Sequence, residues 1–186
     1  MRRLLTALRR DESGYSLTEL LTVMGILGIV MASLTGVMVS ATRAEVGMNN
    51  DFQAQTQARM ALERFRREAH SACGADPAGP SASVTLKYVT AGTCPTTGGT
   101  QVTWCTVLVA ANRYRLHRSS GGTCSASGKQ IADYLTVANA FNYGTQTNRR
   151  AKVGLTLTVD RDPNRQGGTY RLTDDIVLRN SPRPAA

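Results

Sequence analysis

Between Glu19 and Arg43 the chain runs for 23 residues without a charge, LLTVMGILGIVMASLTGVMVSAT. A helix rises ~1.5 Å per residue, so about 20 apolar residues cross the ~30 Å hydrocarbon layer of a bilayer. The run therefore predicts a membrane-spanning helix. What precedes it is unusual: a short basic stretch, MRRLLTALRRDESG, then Tyr15, then the acid Glu19 at the mouth of the apolar segment. A charge in that position is costly and normally has a specific partner. No basic residue stands one helical turn from Glu19, and Arg9 and Arg10 lie on the far side of Gly14. A cut after Gly14 would give Tyr15 a free α-amino group, and a neighbouring copy could then present that cation to Glu19.

An ordinary secretory signal has an apolar core of ~7–15 residues ending at a small-residue cleavage site. Val39-Ser40-Ala41 mimics such a site, but the core here is longer, and Asp11 and Glu12 precede it. A generic single-pass anchor needs only the apolar run and cytoplasmic arginines. Neither accounts for the order Gly14, Tyr15, Ser16, Leu17, Thr18, Glu19. These residues resemble the N-terminus of type IV pilins and type II secretion pseudopilins, in which a basic leader ends in Gly and an aromatic residue and a Ser/Thr-Leu-x-Glu step open an apolar helix. The resemblance implies cleavage between Gly14 and Tyr15 by prepilin peptidase, methylation of the new terminus, and a register-setting role for Glu19. The family more often has Phe where this chain has Tyr15. Beyond the N-terminus, MALERFRREAHSA and DDIVLRN resemble minor pilins of the PilW and GspJ type.

The 186 residues carry a net charge of +9, and the chain without its leader would hold 18 Lys and Arg against 11 Asp and Glu. Arginines ahead of the span predict a cytoplasmic N-terminus, with everything after Arg43 outside the cytoplasm. Gly28, Ala32, Gly36 and Ser40 recur every fourth residue, a stripe of small side chains along which another helix backbone can approach. Past Arg43 the helix continues. Ala54, Ala58, Leu62, Phe65, Ala69 and Ala72 repeat at helical spacing, and Glu63–Arg67 and Arg64–Glu68 pair on the wet side. Gly74 and Pro77 stop it. The organisation expected is a cleaved leader (1–14), a transmembrane or filament-core helix (15–42), its amphipathic continuation (43–73) and a head (74–186).

The head reads as strands at Ser83–Val89, Gln101–Val109, Arg113–His117, Lys152–Val159 and Tyr170–Leu178, with another near Ile131–Val137. Gly-Gly-Thr at Gly98, Gly121 and Gly167 marks turns and not phosphate loops, because no strand–loop–helix context surrounds it. Ala110-Ala111-Asn112 closes a hairpin that sets Val102, Trp104, Thr106, Leu108, Tyr114 and Leu116 toward the core, with Arg113, Arg115 and His117 opposite. An antiparallel sheet on the helical stripe follows. The fold class is α+β, which is also what the family resemblance implies.

Cys73, Cys94, Cys105 and Cys124 all follow the membrane run, in an oxidising compartment, where an even count favours two disulfides. Of the three connectivities, Cys73–Cys94 with Cys105–Cys124 is preferred, because Cys105 projects opposite Trp104 toward nearby loops; free buried cysteines are the alternative. Zinc is disfavoured by the lack of any Cys-x-x-Cys pair. Asp160, Asp162 and Asn164 start like a calcium loop, but Arg165 and Arg171 stand where Gly and Glu are needed. His70 and His117 belong to no nucleophile motif, so no enzyme, cofactor or metal is expected.

The function expected is a non-enzymatic minor pilin or pseudopilin. Its partners would be other pilins through the helix, prepilin peptidase, and the bacterial inner or cytoplasmic membrane before release into a pilus or pseudopilus. The alternative is an anchored adhesin or DNA-uptake receptor, whose basic patch would be Arg113, Arg115, His117 and Arg118, or Arg149 and Arg150.

Overall fold

In the computed structural model the described residues are 14–96, 98–146, 149–161 and 169–182. The leader expected at 1–14 lies outside them except for Gly14, as do Asp162, Asn164 and Arg165 of the calcium-like loop and Gly167. The chain divides into two units, Met1–Gly47 and Met48–Ala186. One helix, α1 (Leu17–Ser71), supplies the described part of the first unit and opens the second.

In the second unit, α1 buries the stripe read from its spacing. Ala54, Ala58, Ala61, Leu62, Phe65 and Ala69 are all buried, and Ala72 follows just past the helix end. Small alanines on this face let the backbone lie close to a sheet, while Phe65 fills the centre. The Phe65 ring meets Trp104 edge-on at 5.3 Å and Phe141 at 5.6 Å. Both rings facing it are fully or almost fully buried.

Among the described residues nine antiparallel strands follow: β1 (Gly74–Asp76), β2 (Gly79–Ser81), β3 (Ser83–Lys87), β4 (Gln101–Ala110), β5 (Arg113–Ser120), β6 (Lys129–Leu135), β7 (Phe141–Gln146), β8 (Arg149–Val159) and β9 (Tyr170–Val177). Their order is β1-β3-β4-β5-β6-β8-β7-β2, with β9 on β8. Along β8, β6 pairs only at Val159, β7 takes Arg149 to Leu155, and β9 takes Lys152 to Val159. β1 and β2 sit at opposite ends of this order yet are separated by only Pro77 and Ala78, so the sheet must curl until its ends approach. The architecture is the α+β layout expected: a long helix followed by a curled antiparallel sheet. Val153, Leu155, Leu157 and Val159 alternate inward along β8, and Ile176 and Leu178 complete the core.

The short strands β1 and β2 and the strand β7 were not expected from the sequence. GAD and GPS hold Gly and Pro, poor strand formers, and they pair because their neighbours are already in place. The hairpin at Ala110–Asn112 forms as read, with Asn112 at φ 55 taking the turn that a short polar side chain tolerates. Val102, Trp104 and Leu116 face the core, but Leu108 is 61% exposed. The register shifts between Leu108 and Ala110, close to the hairpin turn.

The opposite face of the hairpin is also corrected. His117 is buried with Thr103 and Cys105, not solvated, because the loop from Gly121 to Gly128 folds over it. The disulfide Cys105–Cys124 fastens that loop, with Cα atoms 5.9 Å apart. The second disulfide, Cys73–Cys94, joins the second residue after α1 to the loop beyond β3, with Cα atoms 5.8 Å apart. Each closes a loop of about 20 residues, for which chain entropy gives roughly 3 kcal/mol.

Candidate functional site at the N-terminal helix

Ser16 opens α1. Its carbonyl accepts from the Glu19 and Leu20 amides at 3.0 and 3.1 Å, and its hydroxyl lies 2.9 Å from that of Thr18. Glu19 thus falls in the first turn, where the unpaired amides of a helix favour a negative charge. Among the described residues Glu19 has no ion-pair partner. Tyr15 is 80% exposed, and an added side chain at Gly14 would meet nothing within 4 Å.

From Gly14 to Val46 every residue is exposed. The apolar window of α1 has a mean hydropathy of 2.2 and buries none of itself, and α1 is long and apolar enough to cross a membrane. A helix apolar on all sides requires lipid or other helices around it. Its hydroxyls fit such surroundings. Thr22 donates to the Glu19 carbonyl, Ser33 to Val30, Thr35 to Met31, Ser40 to Val37 and Thr42 to Met38, all at 2.7–3.0 Å. No hydroxyl of the uncharged run is left needing water, which is the condition for placing Ser and Thr in hydrocarbon. Sequence spacing could have found this, since each has a carbonyl three or four residues behind it. Gly28 and Gly36 meet nothing within 4 Å of an added Cβ, so their face, shared with Ala32 and Ser40, is open to a neighbour.

Residues 9–35 match the family model of the prokaryotic N-terminal methylation motif. The match takes in Arg9 and Arg10 at the end of the basic stretch, Gly14, Glu19 and most of the apolar run. It indicates a pilin-like substrate of prepilin peptidase, and the proteins that carry this motif are structural. No curated protein and no solved structure matches the chain.

The second unit holds the remaining candidates. Among the described residues no group of three or more His, Cys, Asp or Glu is placed to hold a metal ion. His70 Nδ1 donates to the Val177 carbonyl at 3.0 Å and His117 Nδ1 to Gly128 at 3.1 Å, so each imidazole is tied to backbone. The basic residues do not form one patch. Arg113 and Arg115 both bind Asp133, the first through Nε and Nη2 at 3.1 and 2.9 Å, the second through Nε at 3.0 Å. Arg118 turns to the helix side and donates to Glu68 at 2.7 Å, while Arg150 donates to the Arg179 carbonyl. The side chain of Arg149 lies outside the described set.

Glu68 is the residue the sequence misplaced. The spacing put it on the wet face with Arg64, and that pair does form, at 3.6 Å. The carboxylate nevertheless faces the sheet, where it also accepts from Trp104 Nε1 at 2.9 Å and from Arg118. Burial pushes the nearby Tyr88 phenol up to about 12, an effect that the Glu68 charge reinforces and Arg118 opposes. Glu63 likewise pairs with Arg66, at 2.8 Å, in place of Arg67. Asp133 is buried, which favours its neutral form, but Arg113, the Tyr134 amide and Arg115 outweigh this and hold its carboxyl below the usual range. Its bond to the Tyr134 amide helps hold Tyr134 at φ 62, with Arg113 stacked 3.9 Å and Arg161 4.7 Å from the ring centre.

The segments 60–72 and 174–180 meet in the fold. Arg66 binds Asp174 at 2.7 Å, the Arg179 amide donates to the His70 carbonyl at 3.3 Å, and Asn180 Nδ2 donates to the Ser71 carbonyl at 2.8 Å. The last two carbonyls of α1, which no helical amide can satisfy, are thereby capped by the tail beyond β9.

Proposed function

We propose that this chain is a minor pilin or pseudopilin, cut between Gly14 and Tyr15, N-methylated, and assembled into a type IV pilus or a type II secretion pseudopilus. The motif over residues 9–35, whose part from Leu17 onward lies on a helix whose apolar half buries nothing, carries this reading. Residues 15–42 form the transmembrane or filament-core helix, 43–73 its amphipathic continuation and 74–186 the head. Before assembly the chain waits in the inner membrane with its N-terminus inside. Glu19 sets register by neutralising the Tyr15 amine of a neighbouring copy, and Gly28, Ala32, Gly36 and Ser40 form the packing face. The likeness of 60–72 and 174–180 to PilW- and GspJ-type subunits favours a minor subunit.

Two substitutions test the assignment of roles. Gly14→Val blocks leader removal, seen as an unshifted band, and normal processing would contradict the cleavage site. Glu19→Ala is cleaved normally but enters filaments poorly; wild-type incorporation would remove Glu19 from the mechanism.

A further inference from the structure

Between α1 and β6 lies an open recess of about 480 Å³ that the head's packing does not use. Arg59, Arg64, Arg67 and Lys129 line it, with Met60 and Ile131 between them. Its one acid among the described residues, Glu63, is already engaged by Arg66. Arg64 reaches Glu68, but Arg59, Arg67 and Lys129 have no ion pair among the described residues. Met60 is 59% exposed within this ring of cations. Lys129 also borders a second recess of about 400 Å³, lined by Arg118 and by Ser119, Ser125 and Ser127 among others. Several cations of the head are paired off, as at Asp133 and Asp174; here three without an ion pair among the described residues gather around apolar side chains.

We infer that this groove is a docking site for an acidic, amphipathic segment of a protein partner. Carboxylates on such a segment would meet Arg59, Arg67 and Lys129, and an apolar residue of the same segment would cover Met60 and Ile131. Nucleic acid fits less well. Among the described residues no aromatic side chain lines either recess to stack a base, and a phosphate backbone leaves Met60 uncovered. The ligand chemistry is independent of the assembly reading, since it uses no residue of the N-terminal motif.

The test uses the full chain in nanodiscs and four probes: a labelled helical peptide with Glu and Leu on one face, the same peptide with Gln for Glu, a short DNA duplex, and phosphatidylglycerol vesicles. The Glu peptide is expected to bind at low salt, to weaken at high salt, and to lose roughly tenfold or more in affinity in an Arg59→Glu/Lys129→Glu protein. A Lys152→Glu/Arg171→Glu protein, carrying the same charge change on β8 and β9, should bind like wild type. Both altered pairs are on the surface, and an unchanged melting temperature checks that the fold persists. Equal binding of the Glu and Gln peptides, no binding of the Glu peptide at low salt, or equal loss in both variants would overturn the inference. Tighter binding of the duplex or the vesicles, abolished by Arg59→Glu/Lys129→Glu, would overturn it in favour of a phosphate ligand.

Discussion

Residues 17–46 and 54–71 belong to one helix, yet they solve opposite problems. The first stretch exposes every side chain and satisfies its hydroxyls with its own carbonyls. The second buries alanines, Leu62 and Phe65 against a sheet and sends Glu68 into that sheet as a hydrogen-bond acceptor. Continuity of helix therefore says nothing about what surrounds it. The chemistry of each face does: apolar on all sides asks for lipid or other helices, and one apolar stripe asks for a single packed layer.

The contrast breaks most sharply under truncation. Phe65→Ala, at the point where Phe65 meets Trp104 and Phe141, should destabilise the head by about 3–5 kcal/mol in denaturant unfolding. Leu27→Ala, of similar chemistry but in the exposed stretch, should move the same transition by no more than about 0.5 kcal/mol. Comparable losses would mean that the first stretch helps hold the head, contrary to its exposure.

Glu68→Ala comes next. It strips Trp104 Nε1 and Arg118 of their acceptor in a half-buried site, and should cost about 2–3 kcal/mol by the same measurement. A cost near that of a surface ion pair, ~0.5 kcal/mol or less, would return Glu68 to the wet face where its spacing put it.

The smallest effect is in pH. Asp133 has its carboxyl lowered in the folded state, so its contribution is fully present above the unfolded value of 3.8 and is lost as pH falls through the depressed folded value. Asp133→Asn should cost ~1–2 kcal/mol at neutral pH and flatten the decline in melting temperature between about pH 5 and pH 2. An unchanged acid limb would show that Arg113 and Arg115 do not need it.

Much of this was legible in the chain. The uncharged run, the motif around Gly14 and Glu19, the alanine stripe and the inward alternation of β8 are all local patterns, and local patterns survive in one dimension. What escaped depends on residues distant in sequence. β1 and β2 form from Gly- and Pro-bearing triplets only because Lys87 and Tyr143 lie ready as partners. His117 is buried by a loop that alternation along β5 cannot foresee. Glu68 was placed by its helical neighbours, whereas Trp104 and Arg118, 36 and 50 residues away, decide where it points. Arg113 and Arg115 looked free for a ligand until Asp133, on the neighbouring strand, claimed both.

The intact mass of the protein recovered from cell membranes tests the central claim, that the apolar half of α1 belongs to an assembling subunit whose new N-terminus answers Glu19. The account predicts a chain that has lost residues 1–14 and begins at Tyr15 with one added methyl group. A chain still beginning at Met1 would contradict it.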